Sequence, residues 1–241
     1  MIDLYYYTSP NVRKIVIALE ELSLPYTVRW TDITAGEQFA EDYRAINPNA
    51  KVPAIVDHDG PGGTPLALFE SAAILLYLTE KTGRLLPQDP ALRWTAISWT
   101  VWQVANHGPM TGQATHFLRY APQHGIDDEY ATHRYRTEVA RLYAMLDERL
   151  TGRDFLADEF SIADIACYPW VRVAKGHGVD IAEFPAVQAW VARIGERPSA
   201  KVKLADPRED KAARNSYSAE QFATLFRSGP SRASTSPEQV S

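Results

Sequence analysis

Apolar and polar residues alternate with strand period over Ile2-Asp3-Leu4-Tyr5-Tyr6, and Thr8-Ser9-Pro10-Asn11 then punctuates the run. Val12, Ile15, Val16, Leu19 and Leu22 recur at helical spacing, which predicts a helix starting at Pro10 or Asn11. Residues 26–32 read as a second strand, and a polar loop around Gly36-Glu37-Gln38 leads to a short helix over Glu41–Ile46. Ala54–Asp57 and Leu66–Phe69 read as two short strands around the turn-rich Asp59-Gly60-Pro61-Gly62-Gly63. Ile74, Leu75 and Leu78 support a further helix that Gly83 should stop.

That order, strand-helix-strand-helix-strand-strand-helix, predicts an α/β thioredoxin-like domain with a mixed four-stranded sheet over residues 1–83. Residues 84–90, with Pro87 and Pro90, read as a linker. An all-α domain is expected over 91–205, with helices at 92–107, 128–150, 162–173 and 185–196. Val139, Leu142, Tyr143, Leu146 and Leu150 give the second of these a clear apolar stripe. Phe160-Ser161-Ile162-Ala163-Asp164-Ile165 has the form of a capping box, with Ser161 as cap, Asp164 reaching back to it, and Phe160 and Ile165 spaced as a hydrophobic staple. Residues 206–241 are polar and expected to be partly mobile, with Phe222, Leu225 and Phe226 able to dock a small helix.

Composition narrows the function. With 45% hydrophobic residues, the 241-residue chain fills real cores, and a net charge of -5 argues against a nucleic-acid partner. Nothing resembles a membrane span or a secretory leader. One cysteine, Cys167, excludes an internal disulfide and a Cys-x-x-Cys centre, so a reducing, cytoplasmic setting is expected.

The richest stretch is Asn47-Pro48-Asn49-Ala50-Lys51-Val52-Pro53-Ala54, followed by Glu70-Ser71-Ala72-Ala73-Ile74. With a cis bond at Pro53, Val52 would offer its N–H and C=O to an extended ligand as a strand edge does. Ser71 reads as a helix N-cap, and the free N–H groups of a helix start suit a carboxylate, while Glu70 suits an ammonium group. One carboxylate site, one ammonium site and one strand-like edge describe the needs of glutathione. At Thr8-Ser9-Pro10-Asn11, where thioredoxin relatives carry redox cysteines, there are none; a hydroxyl, an amide and a helix dipole remain to stabilise a thiolate brought by the ligand. Tyr5, Tyr6 and Tyr7 lie close by, with Tyr5 and Tyr7 expected on one face of the strand and Tyr6 on the other.

Lys51-Val52-Pro53 and Glu70-Ser71-x-Ala-Ile at this spacing resemble the glutathione-binding half of the glutathione transferase family, and the resemblance runs from Met1 to about Ala205. Trp102-Gln103-Val104 and Gly108-Pro109-Met110-Thr111-Gly112-Gln113-Ala114-Thr115-His116-Phe117 resemble its Nu-class (Ure2-like) branch. That branch implies a glutathione-dependent disulfide-bond oxidoreductase, with a hydroxyl and an asparagine beside the sulfur. Asn11 matches the asparagine, Ser9 stands where threonine is usual, and Thr8 is the reserve hydroxyl. The resemblance further implies glutathione contacts from Gln38, Lys51, Val52, Pro53, Glu70 and Ser71, and a contact of Arg134 with a second glutathione or a partner subunit. It implies a homodimer, glutathione as cosubstrate and no metal. Conjugation of glutathione to organic electrophiles, or non-catalytic glutathione binding, are the alternative outcomes of the same scaffold. Pro109 should break or kink the long helix. His116 reads as surface filling and Cys167 as an inert packed thiol.

Overall fold

The computed structural model describes residues 1–207 and 216–227. Strands β1 (Ile2–Tyr6), β2 (Tyr26–Trp30), β3 (Ala54–Asp57) and β4 (Leu66–Phe69) form one sheet in the order β2-β1-β3-β4. Helix α1 (Pro10–Leu22) carries the chain back so that β1 and β2 run parallel, whereas β3 lies antiparallel to both β1 and β4. Ile55 faces Leu4 on one side and Leu68 on the other, which sets the register of the buried centre. A short helix, α2 (Glu41–Ile46), precedes β3, and α3 (Ser71–Thr82) follows β4. Gly83 stops α3 from the left-handed region at φ 67, as its sequence predicts.

β2 ends at Trp30, two residues short of the predicted boundary. Asp32 explains this: its Oδ1 accepts from the Thr34 N–H at 2.9 Å and the Thr34 hydroxyl at 2.6 Å, a local turn that competes with the ladder. β1 likewise ends at Tyr6, so the expected alternation fails at Tyr7. Tyr6 and Tyr7 both pack against Trp30, with ring centroids 5.8 and 5.2 Å away.

The second half of the chain is helical. Helix α4 (Pro90–Trp102) is capped by Asp89, whose carboxylate accepts from Leu92 N at 2.9 Å. It continues through a π-helical turn, Gln103–His107, into α5 (Gly108–Thr115) and a second π turn, His116–Tyr120. Of the break or kink expected at Pro109, the break does not occur, and Gly108 keeps helical angles of φ -61 and ψ -54. Proline lacks an N–H and crowds the carbonyl four residues back; the wider spacing of a π turn just before it accommodates both.

Helix α6 (Glu129–Leu150) buries its apolar stripe, and Asp128 caps it through Ala131 N at 2.9 Å. Helices α7 (Ile162–Val171), α8 (Pro185–Gly195) and α9 (Pro198–Lys201) follow. α7 stops short of the predicted 173 because its last turn tightens, with Val173 N donating to Trp170 O at 3.2 Å. Between α3 of the first half and α4 and α8 of the second, α7 is buried along nearly its whole length and packs against α1. That contact joins the two halves.

The capping box at the start of α7 forms. Asp164 accepts from Ser161 N at 3.0 Å, Leu156 N at 3.0 Å and Trp190 Nε1 at 2.9 Å, while Ser161 Oγ accepts from Ala163 N at 3.3 Å. Phe160, read as half of a staple, packs edge-on against Phe155 and lies beneath the Arg197 guanidinium, 3.8 Å from the ring centroid. In the tail, α10 (Ala219–Phe222) docks as expected: Phe222 is buried, with His124 and His116 centroids 4.1 and 5.7 Å away. The mobility expected of the tail concerns, at 208–215 and 228–241, residues outside those described. Among the described residues no helix is long and apolar enough to cross a membrane.

Candidate functional site

Three loops converge where β1 and β4 end and β3 begins. The first, after β1, starts α1. Ser9 is its N-cap, with extended angles of φ -149 and ψ 156, and its Oγ accepts from Val12 N at 3.3 Å. The hydroxyl proton of Ser9 has no acceptor among the described residues and is free to donate. Two residues on, Asn11 Oδ1 accepts from the indole N–H of Trp170 at 2.9 Å. That bond ties up the amide oxygen and leaves the Nδ2 donors of Asn11 for a ligand.

Trp170 is itself held. His177 Nε2 donates to the Trp170 carbonyl at 3.0 Å, and its Nδ1 faces the Thr115 hydroxyl at 2.7 Å. Burial pushes the His177 imidazole below its ordinary range, which keeps it neutral and suits this one-donor, one-acceptor arrangement. Gly112 lies beside the indole, where a Cβ would sit 3.6 Å from Trp170 Cη2, in ordinary van der Waals contact. The 108–117 segment therefore reaches the loop after β1 through Thr115, His177 and Trp170.

Thr8 is oriented differently from Ser9 and Asn11. Its hydroxyl donates to Asp206 Oδ2 at 2.8 Å and lies 3.4 Å from the Tyr6 hydroxyl. A cleft of about 890 Å³ opens beside Thr8 and Ser9, walled by Arg13, Tyr168, Arg172 and the 200–204 segment. Arg13 spans that wall and donates to the carbonyls of Val202 and, at 2.6 Å, Ala200.

The second loop precedes β3. The Val52-Pro53 bond is cis. Lys51 O is pinned by the Tyr43 hydroxyl and by Asn47 Nδ2, each at 2.6 Å, and Asn47 Oδ1 accepts from Asn49 N at 2.9 Å. These bonds fix the backbone on one side of Val52, whose own N–H and C=O have no partner among the described residues. Lys51 itself is exposed.

The third loop corrects an expectation. Glu70, not Ser71, occupies the cap position of α3, at φ 67 and ψ 114, and Ser71 is the first helical residue. A left-handed residue turns the chain sharply from β4 into the helix, so Ser71 falls inside, where its side chain cannot reach back over the first turn. Its Oγ accepts instead from Lys14 Nζ at 3.2 Å. The unpaired N–H groups of the first turn of α3 remain directed outward. Glu70 is exposed, with Asn49 Nδ2 3.4 Å from its carboxylate.

The remaining candidates sit apart. Gln38 is buried; its amide donates to Ile33 O at 3.1 Å and its Oε1 is enclosed without a partner, so it supports the 32–38 loop from within. Arg134 lies on the exposed side of α6. His116 is packed by Phe222 and Phe226, and burial lowers its pKa. Cys167 is fully buried, and burial raises its thiol far above the ordinary range, which leaves it un-ionised.

Sequence reasoning missed Lys14, Asn47 and Trp170. Lys14 had a visible signal: beside Arg13, it is one of two cations in a helix otherwise apolar from Val12 to Leu19. Trp170 had none, because its partner Asn11 is 159 residues away.

Residues 8–81 match the family model for the glutathione S-transferase N-terminal domain, and residues 111–198 match that for its C-terminal domain. The disulfide-bond oxidoreductase YfcG of Escherichia coli is 46% identical over 217 residues, covering 87% of this chain and all of that protein. The chain belongs to the glutathione S-transferase family. Among solved structures, a Pseudomonas putida glutathione transferase with one glutathione disulfide bound per subunit superposes with a TM-score of 0.80 at 41% identity, over 83% of this chain and 89% of that one. A Burkholderia graminis glutathione transferase with two glutathione molecules bound per subunit gives 0.79 at 40% identity, over 87% and 89%. The three loops of this transferase fold lie at the end of β1, before β3 and at the start of α3, within one domain whose partner domain supplies Trp170.

Proposed function

We propose that the chain is a glutathione-dependent disulfide-bond reductase whose attacking thiolate belongs to bound glutathione and not to the enzyme. The observation that carries this reading is a helix start without cysteine, where the Ser9 hydroxyl and the Asn11 amide each keep a donor without a partner among the described residues. Glutathione extends along Val52 and Pro53, its ammonium at Glu70 and its carboxylates at the start of α3 and near Lys51. Gln38 shapes the adjoining loop. Two domains, 1–83 and 91–205 joined over 84–90, enclose the reacting sulfurs, and a homodimer in a reducing, cytoplasmic setting completes the reading. In that dimer Arg134 meets the second glutathione or the partner subunit.

The energetics suffice without a metal. A thiol of pKa about 8.5 is only about 3% ionised at pH 7. Lowering it by two units requires about 2.7 kcal/mol of preference for the thiolate. Hydrogen bonds to a charged group contribute about 1.5–3 kcal/mol, and a helix N-terminus about 0.3–1 kcal/mol. Two donors and the α1 dipole meet that requirement.

In the reaction, the glutathione thiolate attacks one sulfur of the substrate disulfide. A new S–S bond forms, the old one breaks, and the departing thiolate takes a proton from solvent. A second glutathione then attacks the mixed disulfide, releasing the other substrate thiol and glutathione disulfide. Two glutathiones are oxidised for each disulfide reduced. The titration of Cys167 plays no part.

Parallel assays test the reading: glutathione-dependent turnover of a small disulfide and of an aryl halide. Disulfide turnover should dominate. Strong aryl-halide turnover with little disulfide reduction would instead assign conjugation. Trp170→Phe removes the indole N–H and frees the Asn11 amide to rotate. We expect kcat for disulfide reduction to fall about 5- to 10-fold, the worth of one hydrogen bond, while KM for glutathione changes little. Equal loss in both would contradict an orienting role.

A further inference from the structure

We infer that Lys14 is a positioning residue of the carboxylate site: it fixes the Ser71 hydroxyl from within the protein and places a cation behind the start of α3 that a bound carboxylate completes. This rests on the glutathione reading of Ser71. Lys14 is fully buried where α1, α3 and the 103–107 turn meet. Its Nζ donates to Ser71 Oγ at 3.2 Å and to Gln103 Oε1 at 2.5 Å. Both acceptors are neutral, and among the described residues no carboxylate pairs with it. Gly108 keeps Gln103 in place, since a Cβ there would lie 2.9 Å from Gln103 Nε2.

A buried cation without a counter-ion is costly, and burial brings the Lys14 ammonium down to about 7. Ser71 Oγ accepts a hydrogen bond from Lys14, so its own O–H must be directed elsewhere, and the open side is the ligand side. A carboxylate there accepts from Ser71 and from the α3 N–H groups, and it supplies the missing counter-charge through one hydroxyl.

The other groups facing Lys14 are Glu70 before α3, Cys167 on α7 and His107 on the 103–107 turn. Burial holds the Cys167 thiol protonated and brings the His107 imidazole down to about 3, so neither changes charge between pH 6 and 8.5. Carboxylate binding favours charged Lys14; the complex therefore holds its proton to higher pH than the free enzyme. Affinity is greatest below pH 7 and declines as pH rises through that range, and binding near pH 7.5 takes up a proton.

The test uses S-methylglutathione, which has no thiol to ionise. Calorimetry at pH 7.5 in phosphate and in Tris, buffers of different ionisation enthalpy, counts the protons exchanged. The wild-type chain should take up a substantial fraction of one proton, and its affinity should fall on the order of 10-fold from pH 6 to 8.5. Lys14→Met keeps Glu70 and the ligand amine, so it should retain only the smaller uptake and shallower pH slope that the amine contributes, with affinity about 10-fold weaker at pH 6. Ser71→Ala should lower the uptake to that same remainder, with Lys14 intact. Binding by the wild-type chain without uptake, or uptake unchanged in Lys14→Met, would overturn the role of Lys14 alone. No wild-type binding at any pH would overturn the glutathione reading and this inference with it.

Discussion

Alanine at Asn11 lowers kcat for glutathione-dependent disulfide reduction about 100-fold, with KM for glutathione within about 3-fold of wild type. In the proposed site the loss is large because the Asn11 amide would donate to the thiolate itself, with its oxygen already held by Trp170 at 2.9 Å. A donor held ready for a thiolate contributes to the charged form alone, about 1.5–3 kcal/mol, and that difference appears in thiolate fraction and rate. Ser9→Ala should cost less in rate, about 10-fold, but also some stability, since Ser9 caps α1 through Val12. Steady-state kinetics on a model disulfide checks both. Unchanged rates in both variants would show that the sulfur lies elsewhere.

Alanine at Asp164 is the largest expected effect on stability. The carboxylate accepts from Ser161 N, Leu156 N and Trp190 Nε1, and all three donors lie in the interior of the helical half. Truncation leaves them unpaired and opens a small cavity, a loss of about 3–5 kcal/mol. For a chain of this size that lowers Tm by about 10 °C. Asp164→Asn, which keeps the volume and one acceptor oxygen, should lose about half as much. Because the box organises the start of α7, and α7 carries Trp170 at its far end, the surviving folded fraction of Asp164→Ala should still bind glutathione while its turnover drops. A Tm within 2 °C of wild type would contradict the account of this helix.

Much of the fold was legible because its signals are local. β1, α1, β3, β4 and α3 each carry period and punctuation within a few residues, and Ser161 and Asp164 announce their helix start on their own. Boundaries that moved did so for side-chain reasons invisible to period: Asp32 ending β2 by a turn of its own, and Glu70 taking a left-handed conformation that sent Ser71 into the helix. At Pro109, proline's chemistry was read correctly, but the π turn that absorbs it depends on tertiary packing around Gln103.

The candidate site divides in the same way. Val52, Glu70 and Ser71 were visible because they lie on two short motifs with a recognisable spacing. Trp170 was hidden because it reaches Asn11 across the junction of the two halves, and no single-sequence pattern encodes a contact of that separation. Lys14 was hidden for the opposite reason. It sits in plain view within α1, but a lone lysine in an apolar stripe is ordinarily a solvated or snorkelling residue, and only the packing of α3 and the 103–107 turn over it shows that it is sealed.

The central claim, that glutathione alone supplies the reacting sulfur, is tested most directly by removing the only thiol in the chain. Cys167→Ala takes away a buried side chain and no surface group. Glutathione-dependent reduction of a small disulfide by this variant should stay within about 2-fold of wild type at equal folded concentration. A folded Cys167→Ala protein without disulfide reductase activity would contradict the claim.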